Sequence, residues 1–186
     1  MKGIVFREFI DMVESQFSTE TADAIIQTSA LSTNGAYTSV GTYPHQEMVD
    51  LVSNLSTHTG ISVPDLLKHF GRHLFGRFVE IHPNMTNAFS DVFSLLSALE
   101  NTIHVDVNKL YRDAETPSFT YERDGQQQMV FIYRSRRRMA DFAQGLIEGC
   151  VAHFKENITI QRADLPSQGE EALMRFTLVR TANADA

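Results

Sequence analysis

The sequence predicts an α+β domain with a helical first half and a four-stranded antiparallel sheet in the second, and three observations predict it. Apolar residues recur at three- and four-residue spacing up to about residue 100. Beyond that point the period changes to two on either side of Asp124-Gly125, a strong hairpin signal. The length of 186 residues, without internal repeats, fits one domain with a sizeable core.

Element by element, Phe6, Phe9, Ile10, Val13 and Phe17 define the stripe of a first helix. Ser18 or Thr19 is placed to cap a second helix around Ala22 to Gln27, and the polar stretch from Thr28 to Tyr43, with Asn34-Gly35 inside it, reads as a loop. Pro44 opens a third helix carrying Met48, Leu51, Val52 and Leu55, which stops near Gly60. Ser62, Pro64 and Asp65 start a fourth, in which Leu67, Phe70, Leu74, Phe78 and Ile81 repeat before Pro83 ends it. A further helix is expected from about Thr86 to Glu100. Phe119 to Arg123 and Gln128 to Ser135 pair as a hairpin. A helix from about Arg137 to Lys155 follows, with Met139, Phe142, Leu146, Cys150 and His153 on one side. Asn157 to Arg162 and Ala172 to Arg180 complete the sheet, and the tail from Thr181 is expected to fray.

Composition excludes several functions. Lys and Arg total 16 against 23 Asp and Glu, a formal charge of −7, which opposes counterion-driven binding to nucleic acid or to an anionic membrane. One cysteine, Cys150, forms no internal disulfide and no multi-thiolate metal site, so a reducing, cytoplasmic setting is expected. Glu8, Asp11 and Glu14 interrupt what would be the apolar core of a signal peptide, and no run approaches the ~20 apolar residues of a membrane span.

Two features could carry chemistry. Tyr133 and Ser135 alternate at a strand end and so share a face, and if the alternation holds one step further Arg137 joins them, giving a phenol, a hydroxyl and a guanidinium, donors suited to carboxylates or phosphate. The same alternation also occurs at exposed strand ends whose arginines are merely solvated. His104 follows an apolar helix, where an imidazole either donates to a carbonyl or carboxylate in the core or offers a lone pair to a metal. His69 and His73 have the four-residue spacing of a zinc clamp, but with no HExxH motif or further ligand they read as surface or rim residues. His45, His58, His82 and His153 form no ligand cluster. No Ser/His/Asp set, phosphate loop or paired carboxylates stand out, so no enzyme is expected. The 13 phenylalanines, without tryptophan, suit either core packing or the wall of an apolar cofactor cavity.

Taken together, the Met-Lys-Gly start, Phe78, His104, Pro117, the YxSxR motif at Tyr133, Ser135 and Arg137, and the Gly145-Leu146-Ile147-Glu148-Gly149 run resemble the haem nitric oxide/oxygen binding (H-NOX) family along nearly the whole chain. The resemblance implies haem b, ferrous protoporphyrin IX, buried between a helical distal part at about 1–65 and a sheet-bearing part at about 66–186. It assigns His104 as proximal iron ligand, Tyr133, Ser135 and Arg137 to the propionates, and Pro117 to the proximal face of the porphyrin. Val5, Phe9, Leu74, Phe78, Phe142 and Leu146 would line the distal side. Members that hold oxygen stably have a tyrosine where this chain has Phe142, so the resemblance implies a sensor of nitric oxide, with carbon monoxide as a second ligand. Some relatives carry a cysteine-rich zinc site, from which a chain with Cys150 alone departs.

The implied mechanism is release of His104 on NO binding, relaxation of the haem, and a shift of the helical half against the sheet half. With the chain ending at Ala186, the implied reader is a histidine kinase, or a diguanylate cyclase or phosphodiesterase, acting in trans. Two other classes are weighed against this. A haem enzyme, a peroxidase or NO dioxygenase, would want a distal acid/base that Phe142, Leu74 and Phe9 do not supply. A haem-free interaction domain would use Tyr133, Ser135 and Arg137 to grip an acidic segment.

Overall fold

The computed structural model describes residues 1–110, 116–166, 169 and 171–181. Helix α1, Gly3–Gln16, buries Phe6, Phe9 and Val13 of the expected stripe together with Met12. Its start has no side-chain cap. The Gly3 and Ile4 N–H groups instead donate to the carbonyls of Gly41 (2.9 Å) and Ser39 (3.1 Å), satisfying donors that a helix start leaves open. That loop passes so close that a β-carbon at Gly3 would stand 1.9 Å from the Thr38 carbonyl oxygen.

Helix α2, Thr19–Thr28, is capped by Ser18, whose Oγ accepts from the Thr21 N–H at 3.1 Å. Helix α3, His45–Thr59, follows Pro44 and ends at Gly60 in the left-handed conformation. Its Glu47 is buried and accepts from the Ser32 hydroxyl and the Tyr37 hydroxyl, each at 2.6 Å, which holds the intervening loop against the helix. Helix α4, Val63–Ile81, starts at the Ser62 cap with Pro64 in its first turn and stops at His82, before Pro83.

The single helix expected from Thr86 to Glu100 is broken into three pieces. Helix α5, Asn84–Asn87, is one turn; helix α6, Val92–Ser97, restarts at an extended Asp91, whose carboxylate accepts from the Ser94 N–H while the Ser94 hydroxyl pairs with the Asp91 backbone. A wide π-helical turn, Leu99–Ile103, follows, because the Ala98 carbonyl accepts from both Thr102 and Ile103. It delivers the chain into helix α7, His104–Leu110, with His104 as its first residue.

Strands β1, Ser118–Asp124, and β2, Gln128–Ser135, form the expected hairpin, with Asp124 opposite Gln128 and Gly125 at positive φ in the turn. Helix α8, Ala140–Phe154, begins three residues later than the sequence pattern predicts, since Arg138 lies at φ 53° and cannot continue a right-handed helix. Strands β3, Ile158–Leu165, and β4, Ala172–Arg180, complete an antiparallel sheet of order β1-β2-β4-β3. The expected fraying beyond Thr181 lies outside the described residues.

Two cores result. One gathers α1 to α4 around Phe6, Phe9, Met48, Leu51 and Phe70; the other places Met129, Phe131, Phe176 and Leu178 of the sheet against Val92, Phe93, Ile147 and Cys150. Helix α8 joins them by crossing α4 at backbone contact. A β-carbon on Gly145 would lie 2.1 Å from the Lys68 carbonyl oxygen, and one on Gly71 would lie 2.4 Å from the Phe142 carbonyl oxygen. Gly145→Ala therefore forces the helices apart and should cost about 1–3 kcal/mol, a fall in thermal midpoint of roughly 2–4 °C per kcal/mol. A thermal melt showing an unchanged midpoint would contradict this contact.

Candidate functional site

A cavity of about 270 Å³ opens where the two cores part. Val5 of α1, Leu74 and Phe78 of α4, and Phe142 and Leu146 of α8 form apolar walls, and Pro117 lines it just ahead of β1. Phe9 does not line it, contrary to the resemblance-based expectation. Its fully buried ring meets Phe70 edge-on at 5.1 Å, and Phe70 in turn stacks on Phe142 at 5.1 Å, so Phe9 lies two rings behind the wall.

Tyr133 and Ser135, 2% and 9% exposed, alternate onto the inner face of β2 and reach the same cavity. Arg137 lies beyond the end of the strand, in a turn whose N–H donates to the Ser135 hydroxyl at 3.1 Å, and it lines the cavity as well. The Tyr133 hydroxyl accepts from the Met139 N–H at 3.2 Å. Burial holds the phenol's pKa above its ordinary value, against the pull of Ser135, the Met139 N–H and Arg137. It therefore keeps its proton as a donor.

His104 lines the cavity from α7, its side chain 13% exposed and its ring 5.7 Å from Phe119. Its Nδ1 is buried 3.4 Å from the Glu100 carboxylate, close enough for attraction yet not aligned as a hydrogen bond. Glu100 is itself fixed by the Phe119 N–H, which donates to the same oxygen at 2.6 Å. Burial pushes the imidazole below its ordinary pKa, with the Glu100 charge opposing, so the ring is neutral at pH 7 and keeps a lone pair.

Such a lining accepts a planar, largely apolar molecule that carries carboxylates at one edge and a coordinatable metal. Among the described residues no three His, Cys, Asp or Glu side chains cluster to hold a metal ion. The donor set fits a macrocycle that carries its own metal, with His104 offering one further ligand.

The family model for haem-NO-binding proteins matches residues 2–162. The chain belongs to this family, the H-NOX proteins. Solved H-NOX structures agree over its length. The Fe(II) unliganded protein from K. algicida is 38% identical, covers 99% of this chain and 98% of its own, and superposes with a TM-score of 0.90. The S. woodyi protein, bound to IWP-051 in the Fe(II)CO state, is 38% identical over 100% and 97% of the two chains, with a TM-score of 0.83. The S. oneidensis protein in the Fe(II)NO state is 27% identical over 96% and 99%, with a TM-score of 0.85. No curated protein matches the chain.

His69 and His73 sit half-buried at the rim where α4 meets α1: His69 bonds Gln16, and the His73 Nε2 lies 3.9 Å from Glu8, which Arg77 pairs at 2.9 Å. His82 and Cys150 also line this H-NOX cavity, which a reading of isolated residues missed. The available signal for His82 was its place four residues after Phe78 and eight after Leu74, on one helical stripe.

The Tyr133 bond to Met139 gives a direct test. Tyr133→Phe leaves that N–H without its acceptor and should cost about 1–3 kcal/mol, read as a lower urea midpoint at unchanged m-value. A variant as stable as the parent would show that the bond contributes nothing.

Proposed function

We propose that this H-NOX protein is a haem-based sensor of nitric oxide, in which His104 ligates the iron and Tyr133, Ser135 and Arg137 hold the haem propionates. The observation that carries it is the convergence on one apolar cavity of a neutral, nearly buried imidazole and a phenol, hydroxyl and guanidinium set. Haem, when bound, supplies the iron at which a diatomic gas is held. The chain's own residues decide which gas. Val5, Leu74, Phe78, Phe142 and Leu146 bear no side-chain N–H or O–H, so this wall gives oxygen none of the hydrogen bonding its polar bound form requires, whereas nitric oxide needs none. The NO and CO states of the S. oneidensis and S. woodyi proteins support both gases as ligands here.

His104 is carried by α7, which hangs from the sheet-side core through α6 and the π turn, while Val5, Leu74 and Phe78 belong to the helical side. Held, His104 and Pro117 keep α7 and the start of β1 against the cavity. Released, they let the two sides shift, a change that a histidine kinase, or a diguanylate cyclase or phosphodiesterase, reads in trans. A non-enzymatic, cytoplasmic role goes with this reading. Among the described residues no helix is long and apolar enough to cross a membrane.

The anaerobic absorption spectrum tests it. A five-coordinate ferrous spectrum that becomes a five-coordinate nitrosyl, with no oxygen complex in air, is the expected result; a protein that stays colourless after reconstitution with haem overturns the reading. His104→Gly, with haem retained, should hold the partner at its NO-bound activity, and partner activity at the unliganded level would refute release as the signal. Phe142→Tyr places a phenol among Val5, Leu74, Phe78 and Leu146, which bear no donor, and should make an oxygen complex persist in air. Unchanged oxygen behaviour would show that another residue sets the selectivity.

A further inference from the structure

Strand parity gives the sheet two faces of different character. Inward, Met129, Phe131, Tyr133 and Ser135 of β2 and Met174, Phe176 and Leu178 of β4 are buried. Outward, at the end of the sheet that Ser135 marks, Arg134 pairs with Leu173 and Ile132 with Arg175 across β2 and β4. The register therefore sets two guanidinium side chains on one diagonal and two apolar side chains on the other, near enough for a single partner to cover all four. Ile132 and Leu173 are half-buried, yet neither belongs to either core. Arg136, in the turn after β2, converges with Arg134 on the carboxylate of Glu171 and adds a third guanidinium to the patch.

These charges are poorly neutralised, although acids outnumber bases 23 to 16 along the chain. The side chains of Arg134 and Arg136 are 58% and 79% exposed, and Glu171 meets them at 3.9 Å and 3.6 Å, both longer than a hydrogen bond. Arg175 is exposed and has no ion-pair partner among the described residues. Pairs so open to water hold little, so an incoming carboxylate displaces Glu171 easily. The size of the occupant follows from the charge around the patch. A net charge of −7 repels a polyphosphate backbone or an anionic bilayer that extends past these residues, whereas a short acidic segment needs only the patch itself.

We propose that this outer face is a docking surface for an acidic, partly apolar segment of the effector protein, with Arg134, Arg136 and Arg175 meeting its carboxylates and Ile132 and Leu173 its apolar side chains. The inference rests on the reading above that a separate protein follows the state of this domain, and it supplies the surface and the partner's chemistry. Arginines set among apolar neighbours that exclude water are the usual anchors of such contacts. Arg134 also stands between Tyr133 and Ser135 on one strand, so a segment docked there holds the backbone whose other face presents the cavity's polar wall.

Random dodecapeptides displayed on phage supply the probe, selected on the full chain after reconstitution with haem. Peptides rich in Asp and Glu with interspersed Leu, Ile or Phe should be enriched, and their affinity should fall as added salt screens the charges. They should bind the Arg134→Gln/Arg136→Gln/Arg175→Gln variant roughly tenfold more weakly or worse. In ¹⁵N spectra of wild type, adding such a peptide should shift the amides of Ile132, Arg134, Leu173 and Arg175 before any in the helical half. The variant should keep the wild-type absorption spectrum, because none of the three arginines lines the cavity. Enrichment of neutral or basic peptides overturns the proposal, as do shifts centred elsewhere or equal binding by the variant. Patch-dependent binding to duplex DNA or to phosphatidylglycerol vesicles that exceeds binding to the peptides also refutes it, since the occupant is then no protein segment. A patch-dependent dimer in sedimentation refutes it in favour of a second copy of the chain. Should the variant fail to fold, the shift map of wild type decides alone. A colourless protein that still selects acidic peptides sinks the haem reading but not this surface, whereas a red protein that selects none sinks this inference alone.

Discussion

The backbone contact between α4 and α8 is the constraint on which the site depends. With Gly71 and Gly145 at the crossing, the helices approach until a carbonyl of each stands where a β-carbon of the other would otherwise be. That approach fixes the rotation of both helices, and rotation decides which residues look into the cavity. Leu74 and Phe78 follow Gly71 by one and two turns; Phe142 and Leu146 flank Gly145. Helix α8 then serves two cores at once. Met139, Phe142 and Leu146 pack with the helical core, while Ala140, Ala143, Ile147 and Cys150 pack with the sheet core, a division that 3.6 residues per turn produces without any break in the helix. The cavity lies where those two faces diverge.

Electrostatics at His104 follow from a single carboxylate. Glu100 accepts the first N–H past Ser118 in β1, which ties the π turn to the sheet, and the same oxygen lies beside Nδ1. Desolvation alone would make the imidazole a poorer base; the nearby negative charge restores part of its basicity without aligning as a full hydrogen bond. A neutral imidazole of sustained basicity is what a metal ligand requires. The wide π turn is what brings residue 100 and residue 104 into this relation while passing the helix axis on to α7.

Much of this was legible in the sequence, and the failures have physical causes. Ser18, Ser62 and Gly60 act where their capping chemistry predicts, so the helical half was readable from local signals. Alternation placed Tyr133 and Ser135 on one face, and position after an apolar run singled out His104, for which the family resemblance implied a role. The segment from Thr86 to Glu100 was misread because Asp91 and Ser94, a capping pair, sit inside an apolar run whose spacing still satisfies a helix. Phe9 was misplaced for a different reason: periodicity reports a face, not the distance along an axis at which another ring intervenes. That His82 lines the cavity leaves only the trace of its spacing from Leu74 and Phe78, since a lining position is a property of surroundings.

Strand parity also explains why Arg134, Arg136 and Arg137, neighbours in an acidic protein, are unequal. Arg134 and Arg136 fall on the outer parity, exposed, 3.9 Å and 3.6 Å from Glu171 across the sheet edge. Ion pairs so open to water are screened and hold little. Arg137 would have shared the inner parity of Tyr133 and Ser135 had the strand continued, but β2 ends at Ser135 and the chain turns. The turn does not lose the inward direction, because the Ser135 hydroxyl captures the Arg137 N–H and the Tyr133 hydroxyl captures the Met139 N–H, so both ends of the turn are fastened to the residues that already face the cavity. The side chains that define the polar wall therefore also build the backbone that presents Arg137 to it, and a change in either hydroxyl disturbs the guanidinium's position as well as its own contact.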